Sequence, residues 1–442
     1  MTGLPIRLQD GLVLRSATAG DRDDFAALQG IAHADSEGNP SAAVAAWGRE
    51  FLDGSHPAID YADITVVEDC HTGSIVSGLV LVPQKWSYGG IEFGVGRLEL
   101  VATHPDYRRR GLISRQIEVL HDRSAACGHL MQVITDLMFF HQEFGYHAAL
   151  VQRAGRGGWT RELPTAADDC EPVELRRATT ADIPLLTHVD ELSRGRSLLV
   201  CERDPALWRY ELAGREPENM MRDEILVIVR GDRRLGYVVV GYGGIPSFPV
   251  PSWLPGRPVP ESVVSISGLE LLPEASWLDI VPSVVRQLAG TDGYMLWLGT
   301  GHPAYDALGS VLIRRPPNIG WFIRIPDLVV FLRHIAPVLE RRLEQSDIHG
   351  LTGVLRLHFY TFGVRLDFRK GELVDVCEWH EHSRRESDAS MHGAMFSSLL
   401  LGHAEMAELA PAYPDHRVQT QLGAVLLATL FPKQSSRIWP VI

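Results

Sequence analysis

Two segments of this 442-residue chain begin in almost the same way. LVLRSATAGD at 12–21 and VELRRATTAD at 173–182 share Leu, Arg, Ala, Thr and Asp at five of ten aligned positions. Each is followed by an amphipathic stretch, DRDDFAALQGIA or ADIPLLTHVDEL, so a strand is expected to turn through a Thr or Asp cap into a helix. Self-similarity of this kind indicates a duplicated unit. The sequence therefore predicts two domains that open alike.

The order of the apolar segments predicts three domains. Residues 1–161 and 173–324 each alternate strand-like runs with helical ones, and the short acidic segment 162–172 is typical of a linker. From residue 325 the pattern changes to a helix, alternating strands and two apolar helices, which predicts a third domain over 325–442. The fold class expected for the chain is α+β.

Composition restricts the kinds of protein that these domains can form. Hydrophobic residues make up 45% of the chain and charged residues 22%, with a net charge of -13. These values are typical of a soluble folded protein, and no apolar run of about 18 residues predicts a membrane helix. The acidic balance argues against a nucleic-acid partner, because phosphate binding is normally marked by a basic domain. The first residues lack the basic and apolar regions of a secretory signal, so the expected location is the cytoplasm.

No metal site is predicted. The five cysteines lie far apart and show no CxxC spacing, whereas zinc ligands usually cluster. His380 and His382 in EWHEHSRRE are the remaining candidates, and two histidines among a few acids beside a strand more often form a polar loop.

The segment YRRRGLISR at 107–115 is a concentrated basic feature in this acidic chain. It follows the apolar run LELVATHP and precedes a helical pattern, so backbone N–H groups are expected at a helix N-terminus, where they favour phosphate. Glycine allows close approach of a diphosphate, and guanidinium groups add charge-assisted hydrogen bonds. Such a turn predicts a cofactor that carries pyrophosphate. The alternative is a surface turn whose arginines cover neighbouring carboxylates. In the second unit LELLPEAS aligns with LELVATHP, and no arginine-glycine turn follows it.

Two segments resemble motifs of the GNAT acetyltransferases. LVATHPDYRRRGLI is similar to motif A of that family, Q/R-x-x-G-x-G/A, and FFHQEFGYH resembles its later F-Y-x-x-x-G-F/Y segment. With the repeated opening, the second unit that lacks the turn and the closing α+β domain, the whole chain resembles the Eis-type (enhanced intracellular survival) acetyltransferases. The resemblance implies two GNAT-like mixed-sheet domains in tandem, a catalytic one over 1–161 and a degenerate one over 173–324, followed by a sterol-carrier-protein-like domain over 325–442.

The resemblance also implies how acetyl-CoA is held. The backbones of Val101 and Thr103 are expected to pair with the pantetheine arm and the acetyl group. The pyrophosphate is expected to lie against Arg108, Arg109, Arg110, Gly111, Leu112 and Ile113. Ile113 departs from the motif, which has Gly or Ala there, so its side chain fills space near the cofactor while its N–H stays available.

Two catalytic groups are implied as well. His141 stands where the family usually has a tyrosine that protonates the departing thiolate of CoA, and a histidine with a pKa near 6.5 can donate a proton at neutral pH. The alternative is that His141 only packs beside the cofactor and a water gives the proton. The carboxylate of Ile442 is the candidate base for the amine proton, whereas the ordinary fate of a terminus is a frayed tail.

The expected activity is transfer of the acetyl group of acetyl-CoA, with no metal, to a primary amine. The acceptor is a cationic small molecule such as an aminoglycoside or a polyamine, or a lysine side chain. Candidate walls of its pocket are Asp35, Glu37, Trp86 and Glu99, because carboxylates and an aromatic face suit a protonated amine. The alternatives are a sensor that binds acyl-CoA or an apolar ligand without turnover, and transfer of a longer acyl chain. A homo-oligomer is expected, and the resemblance suggests a hexamer.

Overall fold

A computed structural model describes residues 3–135, 138–166, 171–241, 263–315, 319–380 and 385–438. The chain forms three β-sheets flanked by helices, and this mixed α+β arrangement confirms the predicted class.

The first unit contains β1 (Ile6–Arg7), β2 (Leu12–Ser16), α1 (Arg22–Ala32), α2 (Ala42–Glu50), β3 (Ile64–Asp69), β4 (Ser74–Tyr88), β5 (Ile91–Thr103), α3 (Leu112–Ala126), β6 (Met131–Ile134), α4 (Met138–Gln142), β7 (His147–Arg153) and β8 (Arg156–Trp159). The second unit contains β9 (Glu174–Arg177), α5 (Ile183–Arg194), β10 (Leu199–Cys201), α6 (Pro205–Ala213), β11 (Glu224–Arg230), β12 (Arg233–Gly241), β13 (Val263–Leu271), α7 (Trp277–Leu288), β14 (Gly293–Leu296), α8 (Pro303–Leu308) and β15 (Ile319–Arg324). The third unit contains α9 (Leu328–His334), α10 (Ala336–Glu344), β16 (Gly353–His358), β17 (Gly363–Arg369), β18 (Glu372–Trp379), β19 (Ala389–Ser390), α11 (Gly393–Leu400), α12 (Met406–Leu409), β20 (Arg417–Val418) and α13 (Gln421–Leu430).

The repeated opening forms the same strand-to-helix turn twice. In the first copy Arg15 donates to both carboxylate oxygens of Asp21 at 2.7 and 2.8 Å, and the threonine three residues before Asp21 completes a capping box with it. In the second copy Arg176 makes the same two hydrogen bonds to Asp182 at 2.7 and 2.8 Å, again with a threonine that completes the box. The shared Arg, Thr and Asp are therefore the residues that hold the turn.

The first two units exchange their last strands. The first sheet has the order β1-β2-β3-β4-β5-β6-β15-β7, with β10 paired to the end of β4, so β15 of the second unit lies antiparallel between β6 and β7. The second sheet has the order β8-β14-β13-β12-β11-β9, so β8 of the first unit lies antiparallel to β14. As a result, residues of 1–161 and of 173–324 occur in both sheets.

Glycine permits the close approach of β8 to its new neighbour. A Cβ on Gly157 would lie 2.2 Å from Sδ of Met295 and 2.3 Å from the carbonyl oxygen of Tyr294. Contacts that short exclude any side chain at this position. The sequence RGGW of β8 is thus suited to pairing with β14.

A buried carboxylate joins the first unit to the second. Glu50, at the end of α2, is fully buried and accepts hydrogen bonds from the hydroxyl of Tyr210 at 2.7 Å, the side-chain amide of Asn219 and the backbone N–H of Glu216. Burial raises the pKa of Glu50, and these donors act in the opposite direction. A network of this kind fixes the orientation of the two units, because each buried group needs its partners.

The third sheet has the order β18-β17-β16-β19-β20, and its core is continuous with the β4–β5 hairpin. Tyr88 and Phe93 of the hairpin lie edge-on to Phe331 of α9, with ring centroids 6.1 and 5.4 Å away. The hydroxyl of Tyr88 donates to the carbonyl oxygen of Leu400 at 2.7 Å. Within the ranges that the structure describes, no helix has the length and apolarity needed to span a bilayer.

Candidate active site

The basic segment lies on a strand-to-helix turn, as its sequence predicts. β5 ends at Thr103, a 3-10 turn covers Pro105–Tyr107, and Gly111 caps α3 with a left-handed φ of 71°. The first backbone hydrogen bond of α3 runs from the N–H of Arg115 to the carbonyl oxygen of Gly111 at 3.1 Å. The backbone N–H groups before Arg115 have no carbonyl oxygen of their own helix to bind. The N-terminus of α3 therefore attracts anions.

The three arginines of the turn are exposed but differ in their contacts. Arg108 donates to the carbonyl oxygen of Thr103 at 3.4 Å. Arg110 donates to the carbonyl oxygen of Asp106 at 3.3 Å, and its guanidinium lies 4.9 Å from the centroid of the Tyr107 ring. The side chain of Arg109 makes no hydrogen bond or ion pair within the described ranges, and its φ is 63°. Arg109 is therefore the cation of this turn that is most available to a phosphate.

A bulge interrupts β5 close to the turn. Leu100 has a φ of 53°, and the pairing of β5 with β4 shifts there, so that Leu100 and Val101 together face Leu79. The carbonyl oxygen of Leu100 accepts a hydrogen bond from Nε2 of Gln29 at 2.9 Å, which holds the bulge from the side of α1. Bulges often re-aim backbone groups beside active sites.

β5 and β6 diverge beyond Arg97. Their parallel pairing covers Val95–Arg97 on β5, whereas β5 itself runs on to Thr103. Val101 of the diverging part packs in one apolar cluster with Ile113 of α3 and with Phe140. The hydroxyl of Thr103 lies 2.9 Å from Oγ of Ser77. The structure thus brings the predicted Val101, Thr103 and arginine turn together at one end of β5.

His141 lies on α4 and is buried, with 1% of its surface exposed. Its ring packs against those of Phe140 and Tyr146, with centroids 5.4 and 6.2 Å away. The hydroxyl of Tyr146 lies 2.9 Å from Nε2 of His121, and burial raises the pKa of that hydroxyl above its usual range. Burial, with the charge of Arg324, lowers the pKa of His121 to about 4. Tyr146 therefore stays protonated beside a neutral imidazole, and its position is structural.

The face of the first sheet opposite α3 carries a buried ion pair. Glu99, which precedes the bulge, is 6% exposed and accepts a hydrogen bond from Nε of Arg97. The guanidinium of Arg97 lies 4.7 Å from the centroid of the Trp321 ring, and Trp321 lies edge-on to Trp86 at 6.1 Å. Of the predicted acceptor residues, Glu99 and Trp86 are thus brought into one cluster, although both are buried.

The other two predicted acceptor residues lie apart from that cluster, on the loop between α1 and α2. The carboxylate of Asp35 accepts from the backbone N–H groups of Glu37 and Asn39, each at 2.9 Å, and both acids are exposed. Asp35 therefore orders its own loop.

Trp321 was not expected at this site from the sequence. It reaches the cluster on β15, the strand that the second unit contributes to the first sheet. On the same strand, Arg324 donates to Oε1 of Gln132. The apolar side chains of β15 would suit either of the first two sheets. The local sequence therefore does not show which sheet the strand joins.

The end of the described chain runs beside β10. The backbone N–H of Arg437 donates to the carbonyl oxygen of Leu199 at 2.7 Å, and that of Cys201 donates to the carbonyl oxygen of Arg437 at 3.2 Å. Ile442 lies outside the described residues, so its predicted role stays a prediction.

The described ranges contain no group of three or more His, Cys, Asp or Glu that could hold a metal ion. His380 lies 3.2 Å from a carboxylate oxygen of Glu378 on the surface, and His382 is not among the described residues.

Comparisons with known proteins agree with this geometry. An acetyltransferase (GNAT) domain family matches residues 13–149. A GCN5-related N-acetyltransferase from Anabaena variabilis ATCC 29413 is 12% identical, with a TM-score of 0.66 over 97% of this chain and 99% of that one. A GCN5-related N-acetyltransferase from Kribbella flavida is 14% identical, with a TM-score of 0.62 over 96% and 97%, and Eis1 from Mycobacterium abscessus is 14% identical, with a TM-score of 0.58 over 97% and 99%. At such identities the three structures show a shared fold. No curated protein sequence matches the chain. Residues 13–149 thus match a GNAT acetyltransferase domain, and the chain shares the fold of solved GCN5-related N-acetyltransferases.

Proposed function

We propose that the chain transfers the acetyl group of acetyl-CoA, the co-substrate of GNAT acetyltransferases, to a primary amine of a cationic small molecule or of a lysine side chain. The observation that carries this proposal is the turn Arg108–Gly111, which precedes α3. It lies beside the bulge of β5 and inside the matched domain. Exposed N–H groups, the helix dipole and the cation of Arg109 together suit a pyrophosphate.

The reaction is a direct displacement. The amine nitrogen attacks the thioester carbon, whose oxygen is polarised by a backbone N–H of β5, here assigned to the bulge at Val101. The new C–N bond forms and the C–S bond breaks, and the amine loses one proton to a base while the thiolate of CoA gains one. His141 or a water supplies the second proton, and the carboxylate of Ile442 takes the first. The products are the N-acetyl amine and free CoA.

The remaining units are proposed to shape this site. The second sheet repeats the order of β6 to β2 as β14 to β9, which supports a degenerate second GNAT unit, and β13 is followed by Ser276, the cap of α7, without an arginine turn. The third unit, with five strands under two apolar helices, supports a sterol-carrier-protein-like domain. A homo-oligomer, with a hexamer as the expected form, completes this proposal, and the expected location stays the cytoplasm.

Binding and turnover together test the function. Isothermal titration with acetyl-CoA measures cofactor binding, and release of the free thiol over a panel of amines measures transfer. Thiol release that depends on the amine supports the proposal. Tight binding without thiol release from any amine would favour the alternative, a sensor that binds acyl-CoA. The nearly complete burial of His141 is the observation that favours that alternative.

Replacing His141 with phenylalanine is expected to lower kcat by roughly 10²-fold or more, since general acid catalysis contributes about 10² to 10⁴. Phenylalanine keeps the packing against Phe140 and Tyr146, so the affinity for acetyl-CoA should not change. Stopped assays of thiol release measure kcat, and titration measures affinity. An unchanged kcat would assign the proton to water and leave His141 with a packing role.

Adding a short Gly-Ser segment after Ile442 is expected to abolish acetylation while acetyl-CoA still binds, because the carboxylate is displaced from the site. The parallel bridge of Arg437 to Val200 supports this role, because it places Arg437 beside the residue of β10 that pairs with Ser87 of β4. An equal extension at Met1 serves as the control. Full activity of the C-terminally extended protein would exclude Ile442 as the base.

A further inference from the structure

A cleft of about 340 Å³ lies between the first and second units. It opens where the outer edge of β4 is left uncovered: β3 pairs with β4 as far as Val80, and β10 begins to pair with it at Trp86. Val82, Gln84 and Lys85 line the cleft from β4, and α5 and the segment 201–207 close it from the second unit.

The cleft carries charges of both signs. Glu92, Glu191, Glu202 and Asp204 are its acids, and Lys85, Arg194 and Arg203 are its bases. Lys85 lies 3.2 Å from Glu92, and Arg194 lies 3.3 Å from Glu202, so these four largely neutralise one another. Arg203 makes no ion pair with any described residue, and its guanidinium lies 4.5 Å from the centroid of the Trp208 ring. One fixed cation of the cleft therefore has no contacting carboxylate, although the nearby charges of Asp190 and Glu211 favour its ionised form.

Two buried polar atoms on the lining have neither a hydrogen-bond nor an ion-pair partner within the described ranges. They are Oγ1 of Thr187 and Nε of Arg203, whereas Nε of Arg194 lies 4.0 Å from a carboxylate oxygen of Asp190. The guanidinium of Arg203 is a donor only, and the hydroxyl of Thr187 can donate as well. Buried donors that lack an acceptor are costly, so native proteins rarely keep them without a reason. A bound group rich in acceptor oxygens, such as a carboxylate, satisfies both.

The cleft adjoins the bulge of β5. Val82 on its wall lies directly opposite Arg97, and Val80, two residues along, lies opposite Glu99. Two residues of strand correspond to about 7 Å, so a ligand in the cleft can reach the thioester site with an extended side chain.

Resting on the acetyl transfer proposed above, we propose that this cleft binds the acceptor and that the acceptor carries a carboxylate as well as its primary amine, as a basic amino acid or the corresponding end of a peptide does. The carboxylate binds at Arg203 and Thr187. The carboxylates of Glu191 and Glu202 favour the cationic amine, which extends along β4 to the bulge. A polyamine offers nothing to Arg203 and leaves the buried donors without an acceptor, so the cleft discriminates against it.

Two matched pairs of amines test the inference. Lysine and cadaverine, and ornithine and putrescine, differ only by the carboxylate. Calorimetric titration into the protein saturated with CoA is expected to give at least tenfold tighter binding of each amino acid than of its decarboxylated partner, as a charge-assisted contact implies. Arg203→Met, which keeps the packing on Trp208, should remove this preference by weakening only the amino acids. Thr187→Val, a nearly isosteric change, should weaken them by roughly threefold or more. Arg209→Met is the control, since Arg209 is exposed on α6 and makes no ion pair with described residues.

Equal or tighter binding of cadaverine and putrescine would overturn the inference, and so would an unchanged preference in both cleft variants. The readout is binding, so it does not depend on turnover. If lysine binds as expected and no thiol is released, the cleft assignment stands and the proposed transfer fails. If thiol is released faster with cadaverine than with lysine, the transfer stands and the acceptor class inferred here is wrong.

Discussion

Replacing Arg437 with methionine is expected to lower the free energy of unfolding by about 3 kcal/mol, because it removes the cation that two buried carboxylates share. Each carboxylate keeps one further arginine in an ion pair, so the loss lies at the lower end of the range for a broken buried pair. Arg437 donates to Oε1 of Glu270 at 2.8 Å and to Oδ1 of Asp190 at 2.9 Å, and both acids are fully buried. Burial opposes ionisation of Glu270, but the nearby imidazole of His302, whose Nε2 lies 3.7 Å away, and the charge of Arg437 outweigh it and lower its pKa to about 2. Urea unfolding followed by circular dichroism measures the change.

Two further variants and the pH dependence sharpen this prediction. Arg209→Met, on an exposed arginine, should change the stability by less than about 0.5 kcal/mol. Adding Glu270→Gln to Arg437→Met should recover part of the loss, since it removes one of the two buried carboxylates that have lost a cation. A carboxylate with a depressed folded pKa stabilises the protein above its unfolded pKa of about 4.3 and loses that contribution as the pH falls through the folded value of about 2. The difference between wild type and Arg437→Met should therefore shrink over that interval. Equal stability at neutral pH would show that Arg437 does not compensate these acids.

Contacts between near neighbours in sequence account for the features that could be predicted. The repeated Arg, Thr and Asp of the two openings act within seven residues of one another, and the structure shows the same capped turn in both. The arginine turn likewise needs only a strand end, a left-handed glycine and a helix start, all inside 103–112. Local stereochemistry decides these elements, so a pattern of a few residues is enough to recognise them.

Features that depend on contacts between residues far apart in the sequence were not predicted. The apolar side chains of a strand such as β15 suit either of the first two sheets. Only the packing of Trp321 on Arg97 and Trp86 shows which sheet it joins. Arg437 and Glu270 are separated by 167 residues, so no local pattern shows that they pair. Glu270 and Glu99 occupy aligned positions of LELLPEAS and LELVATHP, so each unit holds a buried glutamate at this place. One arginine pairs with Glu99 and two pair with Glu270. Arg97 lies two residues from its partner, whereas Arg437 comes from the far end of the chain.

Replacing Gly111 with valine is expected to weaken acetyl-CoA binding by at least 10²-fold. Gly111 has a φ of 71°, a conformation that a β-branched residue strongly disfavours. The variant relieves the strain by turning the peptide, which moves the N–H groups at the start of α3 away from the pyrophosphate. Loss of two charge-assisted hydrogen bonds, at roughly 1.5 kcal/mol or more each, corresponds to about 10²-fold in affinity. Isothermal titration with acetyl-CoA measures the effect.

Gly128, just beyond the other end of α3, provides the matched control. Its φ is 73°, and a Cβ added at either glycine meets no atom within 4 Å, so valine causes similar backbone strain and no clash at both positions. Both variants should therefore lose similar stability, about 1 to 2 kcal/mol. They should differ in ligand binding alone, since only Gly111 lies at the end of the helix where the N–H groups are exposed. Similar weakening of acetyl-CoA binding by the two variants would mean that loss of stability explains the effect, and the phosphate site would have to be sought away from the arginine turn.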